Sequence, residues 1–221
     1  MKIGGWRAAV TVLCAVGSIA VLMGASANAA ERPMTIVALG DSLTAGYGLP
    51  ARDAFPVQLQ RALAAKGMMV NVINAGVSGD TTTGGLSRLD WSVPDGTDGV
   101  ILELGANDAL RGFNPGVARK ALDALLRRLK ERKIPVLLCG MLAPPNLGTE
   151  YGSAFNAIYP ELAAQYGAIL YPFFLAGVAA DPKLNQPDGL HPTAAGVATI
   201  VENILPRVEE LIGRAKAHET P

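Results

Sequence analysis

Short apolar runs alternate with longer stretches of helical spacing along the whole chain. Residues 34–39 are apolar almost without interruption, as a parallel strand buried on both faces requires. Runs at 70–74, 99–104, 134–140 and 168–171 repeat the pattern and predict four more strands. Between them, residues 55–66, 81–89 and 151–166 predict helices, and Asn114 can cap another that has Pro115 at its first position. In that helix Ala118, Leu122, Leu125 and Leu129 mark one buried face. A last helix is expected from about Thr193, with Val197, Ile200, Val201, Ile204, Val208 and Leu211 at helical spacing and a kink at Pro206, near Asn203. Beyond Gly213 the chain turns polar and small, which predicts a disordered tail over about 213–221. Strands and helices in alternation predict an α/β fold of βαβ units around a central five-stranded parallel sheet. No repeat, low-complexity linker or second compositional regime divides the chain, so one domain is expected from residue 30 onward.

The first segment follows a different rule. Lys2 and Arg7 precede an apolar stretch of 16 residues, 8–23, and Ala27-Asn28-Ala29 supplies the small-x-small pattern read by a signal peptidase. A membrane span needs roughly 20 apolar residues, so residues 1–29 are read as a signal peptide cleaved after Ala29, with export to the periplasm or beyond. Cys14 lacks the small residue expected before a lipidated cysteine.

Composition narrows the function classes. The 221 residues carry 19 basic and 19 acidic side chains and are 50% hydrophobic, too apolar for a disordered chain. Without a sustained basic patch, nucleic acid is not the expected partner; the basic cluster at 127–133 suits a solvated helix end. Cleavage would leave Cys139 as the remaining cysteine, inside an apolar run, so no intrachain disulfide is expected. With one cysteine and the histidines His191 and His218, a zinc site of the Cys or multi-His kind cannot be assembled.

Chemistry in an open parallel sheet gathers where strands end. Gly40-Asp41-Ser42-Leu43-Thr44 follows the first strand, Asn74-Ala75-Gly76 closes the second, and Gly105-Ala106-Asn107-Asp108 follows the third. Asp188-Gly189-Leu190-His191 precedes the last helix. Each segment alone serves equally well as a cap or turn. The Asp188–His191 pair has two readings: a helix-entry turn in which the carboxylate satisfies backbone N–H groups, or a base with its orienting carboxylate. The serine context excludes the Gly-x-Ser-x-Gly elbow of α/β-hydrolases, since no glycine lies two residues after Ser42.

Taken in order, Gly40-Asp41-Ser42-Leu43, the glycine of Asn74-Ala75-Gly76, Gly105-Ala106-Asn107-Asp108 and Asp188-x-x-His191 resemble the four blocks of the SGNH (GDSL) hydrolases. Residues 78–82, 109–113 and 155–160 are further similar to the branch that contains arylesterases and acyl-CoA thioesterase I/lysophospholipase L1. The resemblance implies a three-layer α/β/α, flavodoxin-like fold and a serine esterase or thioesterase acting on aryl, acyl or lysophospholipid esters and acyl-thioesters. It implies Ser42 as nucleophile, His191 as general base and then acid, and Asp188 as orienting carboxylate. It also implies the backbone N–H groups of Ser42 and Gly76 and the amide of Asn107 as the oxyanion hole. Asp41 and Asp108 are read as braces of the strand-end loops. No metal or organic cofactor is expected; the expected partner is a small ester or thioester, with transient lipid contact, in a monomer or small homo-oligomer. The rival readings are a carbohydrate O-deacetylase of the same superfamily and a catalytically silent acyl- or glycan-binding domain.

Overall fold

The computed structural model describes residues 1–5 and 32–219. The predicted leader, apart from its first five residues, lies outside the described residues.

From Pro33 the elements run β1 (Met34–Gly40), α1 (Ser42–Ala45), α2 (Phe55–Ala65), β2 (Val70–Gly76), α3 (Thr82–Ser87), α4 (Leu89–Ser92) and β3 (Gly99–Glu103). They continue as α5 (Ala106–Leu110), α6 (Pro115–Glu131), β4 (Val136–Cys139), α7 (Thr149–Asn156), α8 (Ile158–Tyr166), β5 (Ile169–Tyr171) and α9 (Ala194–Glu219). The five strands form one parallel sheet in the order β2-β1-β3-β4-β5. Burial follows position in that order. All of β3 is buried, whereas the edge strand β2 turns Val70 and Val72 inward and Asn71 and Ile73 to solvent. Helices α2 and α9 pack together on one face of the sheet, and α6 packs with α3 and α8 on the other. The result is the expected three-layer arrangement.

The chain leaves β1 for β2 on one side and returns to β3 on the other, so the strand order reverses between β1 and β3. A crevice opens at the carboxyl ends of strands that diverge in this way. Gly40 is in register with Gly76 on one side and Glu103 on the other, which brings three loops to one point.

Three expectations are corrected. The helix predicted at 81–89 is two short ones, joined at Arg88, whose φ of −109° and ψ of 7° leave the helical region. The helix predicted at 151–166 breaks between Asn156 and Ile158, because Pro160 has no N–H to give the Asn156 carbonyl. The last helix, with Pro206 inside it, runs on past Gly213 to Glu219, where the sequence predicts a disordered tail. Its final turns are held because Ala215 is buried in the core and Arg214 donates to the Gly167 carbonyl at 2.7 Å. The polar composition there covers a helix that is solvated on one side only.

Candidate active site

The turn after β1 is built around a cap. Asp41 Oδ1 accepts from the Leu43 N–H at 3.0 Å and so starts α1, a helix of four residues that ends at Gly46 in the left-handed conformation. Ser42 is the first residue of α1 and only 8% exposed. Its Oγ lies 2.9 Å from His191 Nε2, and His191 Nδ1 lies 2.7 Å from Asp188 Oδ2. A carboxylate can only accept, so Nδ1 carries the hydrogen and Nε2 is left to take the one on Ser42.

The histidine turn holds itself. Asp188 Oδ1 accepts from the backbone N–H groups of Leu190 at 2.9 Å and His191 at 3.0 Å. The His191 and Leu190 N–H groups, with the imidazole, hold the Asp188 carboxyl down at about 2. Gln186 closes the turn, its N–H donating to the His191 carbonyl at 2.7 Å and its side chain to the Tyr47 and Pro192 carbonyls. The Tyr47 ring covers the imidazole, with centroids 4.5 Å apart and planes tilted by 39°.

Asn107, in the first turn of α5, is brought to the same place. Its Nδ2 donates to Asp41 Oδ2 at 3.1 Å and to the Asp80 carbonyl at 3.0 Å. Gly76 is not brought there as a donor. Its N–H donates to Asn74 Oδ1 at 3.0 Å, and a Cβ on it would strike the Ala45 backbone, so this glycine serves the close packing of β2 on α1. Three residues further along the same segment lies Gly79. Its φ of +84° suits glycine, and it precedes the Asp80 carbonyl that holds Asn107. Among the described residues the N–H groups of Gly79 and Ser42 have no acceptor. Asp108 faces away, taking the Thr82 N–H at 2.9 Å and the Thr82 hydroxyl at 2.7 Å, which anchors α3.

Two buried groups beneath the site carry no signal in the sequence. Glu103, fully buried at the end of β3, accepts through Oε2 from the Thr44 hydroxyl at 2.7 Å and the Asp41 N–H at 3.3 Å, while its Oε1 is buried without a partner. Burial, and then the neighbouring Asp41, push the Glu103 carboxyl well above the usual range. Burial likewise pushes Asp41 up to about 6, opposed by the Leu43 N–H and the Asn107 amide. Arg88 is the second group, and its side chain is only 7% exposed. The local sequence predicts neither, because an acid at a strand end or a cation between two helices reads as a surface position until its neighbours are known.

Beside Ser42 and His191 opens a cavity of about 210 Å³ whose walls include Leu110, Met141, Leu142, Phe173, Leu175 and Leu190. A second cavity of about 260 Å³, among Leu126, Lys130, Tyr166 and Arg214, contains none of these reactive groups. Among the described residues no three His, Cys, Asp or Glu side chains converge as a metal site.

Residues 38–199 match the model of the GDSL-like lipase/acylhydrolase family. The chain belongs to this family. Among solved structures it is similar to AlinE4, an SGNH-hydrolase family esterase, at 48% identity and a TM-score of 0.69, covering 81% of this chain and 96% of that one. The arylesterase of Vibrio mimicus is 40% identical over 181 residues, 81% of this chain and 89% of the relative. Thioesterase 1/protease 1/lysophospholipase L1 of Escherichia coli (strain K12) is 37% identical over 179 residues, 80% of this chain and 85% of the relative. As a member of the GDSL-like family, the chain presents its Gly-Asp-Ser-Leu block as the cap and first turn of α1, with the serine aimed at the apolar cavity.

Proposed function

We propose that this chain is a serine esterase and thioesterase that cleaves medium-chain acyl esters through an acyl-enzyme at Ser42. The observation that carries the reading is the hydrogen-bonded series Ser42–His191–Asp188 at the edge of an apolar cavity. His191 Nε2 takes the proton from Ser42 Oγ as that oxygen bonds to the acyl carbon. The imidazolium is stabilised by Asp188, which remains ionised throughout the working pH range. The tetrahedral intermediate places its negative oxygen toward the N–H groups of Ser42 and Gly79 and the Asn107 amide, each an uncharged donor. Collapse breaks the bond to the alcohol or thiol, which leaves with the proton from His191. A water then repeats the sequence on the acyl-enzyme, and the acid is released.

The names of the relatives, arylesterase and thioesterase 1/lysophospholipase L1, support ester and thioester cleavage by one mechanism. The leucine, methionine and phenylalanine walls favour an acyl chain over an acetyl group or a sugar. Ala27-Asn28-Ala29 supports cleavage and export, so the mature enzyme would begin at residue 30.

The test is an ester series. Each buried methylene contributes about 0.8 kcal/mol, so kcat/KM on p-nitrophenyl esters should climb roughly fourfold per carbon until the cavity is filled. Butyryl to octanoyl esters should outrun acetyl esters, a medium-chain acyl-CoA should also be cleaved, and a phosphonate should label Ser42. A panel in which acetyl esters are fastest and acetylated xylan is deacetylated efficiently would move the chain to the carbohydrate-esterase reading.

A further inference from the structure

Arg88 touches none of the groups assigned above to substrate, yet its side chain bonds two strand-end loops directly and a third through Asp80. Nη2 donates to the Gly40 carbonyl at 2.8 Å, two residues before Ser42. Nη1 donates to the Ala75 carbonyl at 2.8 Å, where β2 runs into the loop that carries Gly79, and also to Ser92 Oγ at 3.0 Å. Nε donates to the Asp80 carboxylate at 2.6 Å. Asp80 in turn holds the Asn107 amide through its backbone carbonyl. One guanidinium therefore links the nucleophile turn, the Gly79 loop and, through Asp80, the amide donor of α5.

The chemistry of the group matters. A planar guanidinium presents its N–H donors in a fixed fork, so the directions of its bonds set the angles between the loops it joins; an ammonium at the same place is a point charge with no such fork. A desolvated ion pair is weak evidence for stability, because removing the charges from water offsets most of their attraction. Placing one where two strand-end loops meet, with a third held by Asp80, is better explained by the geometry it imposes. The break between α3 and α4 serves the same end, since it falls at Arg88 itself. Helix α3 leaves room for the pair as well: a Cβ on Gly84 would strike the Asp80 carboxylate.

We propose that Arg88 is a positioning residue for oxyanion binding, setting the relative placement of the Ser42, Gly79 and Asn107 donors without touching substrate. The inference rests on the roles proposed above for Ser42 and Asn107. It assigns an effect on kcat to a residue that does not line the cavity beside Ser42.

Two variants test it. Arg88→Lys keeps a cation opposite Asp80 and removes the fork; Asp80→Asn keeps the size of the partner and removes the charge. Normalised to the folded fraction measured by calorimetry, each should lower kcat by roughly 10- to 100-fold, with KM within about twofold, since a small misplacement of a catalytic donor is enough for such a loss. Added to Asn107→Ala, each should cost much less than it does alone, because a donor already removed cannot be misplaced. Unchanged kcat in both variants, or losses that multiply fully with that of Asn107→Ala, would overturn the proposal. In those cases Ser42→Ala and Asn107→Ala still lose turnover by themselves. Failure of the underlying reading shows differently, as Ser42→Ala or Asn107→Ala retaining full activity.

Discussion

The Ser42 turn and the Asp188–His191 turn meet at the Ser42–His191 hydrogen bond, yet they are built on opposite principles. The first is buried: Asp41 and Glu103 are inaccessible, and the loop is tied from below by Thr44, Arg88 and Asn107. The second lies on the surface, with the Asp188 side chain 38% exposed and the turn held by its own backbone N–H groups and Gln186. Their carboxyls titrate in opposite directions for that reason. Burial pushes Glu103 and Asp41 up, while N–H donors hold Asp188 at about 2. The negative charge that stabilises an imidazolium thus sits where water helps to keep it ionised. Burial beneath Ser42 instead favours the protonated form of Glu103. Removing a group from the buried turn should therefore affect folding as well as rate, and removing one from the exposed turn should affect rate almost alone.

The largest effect expected is on the exposed side. Asp188→Asn should lower kcat by about 10⁴-fold, by favouring the wrong tautomer of His191, with little change in melting temperature. Kinetics and calorimetry on one preparation check both halves, and a large fall in melting temperature would erase the contrast. Next comes Asn107→Ala on the buried side, where kcat should fall by roughly 10²–10³ with little change in KM. This variant should also lose about 1–3 kcal/mol of stability, because Asp41 Oδ2 is left buried without its donor. Asp108→Ala should show the reverse balance, a stability loss with little change in kcat, since it anchors Thr82.

The smallest effect sharpens the electrostatic half of the comparison. The folded chain keeps a proton on Glu103 that the unfolded chain releases above the ordinary carboxylate range. The stability tied to that proton is present at low pH and is lost as pH rises. Asp41 adds the same sign between its ordinary value of 3.8 and about 6. Wild-type melting temperature should therefore drift down as pH climbs above about 4, and Glu103→Gln, which cannot ionise, should flatten the part of that drift above about 6, where the Asp41 share is complete. Identical pH profiles for the two proteins would mean that Glu103 is charged in the folded state.

The sequence alone determined the five apolar runs, the alternation with helices and the residue types waiting at the strand ends. These features are local: a strand buried on both faces must be apolar, and Ser42, Asn107, Asp188 and His191 are recognisable by their immediate neighbours and their order. What only the tertiary structure decided is nonlocal. Gly76 ends β2 and Gly79 follows three residues later, and which N–H is free depends on whether the Asn74 side chain has already taken it. Residues past Gly213 read as polar tail until Arg214 finds the Gly167 carbonyl across the fold. Glu103 and Arg88 carry ordinary charges in the sequence. Their distinct chemistry comes from burial, which raises the carboxyl of one and leaves the other's guanidinium bound to loops 8 to 48 residues away. Burial and pairing of that kind are created only when strands β1, β2 and β3 come into register.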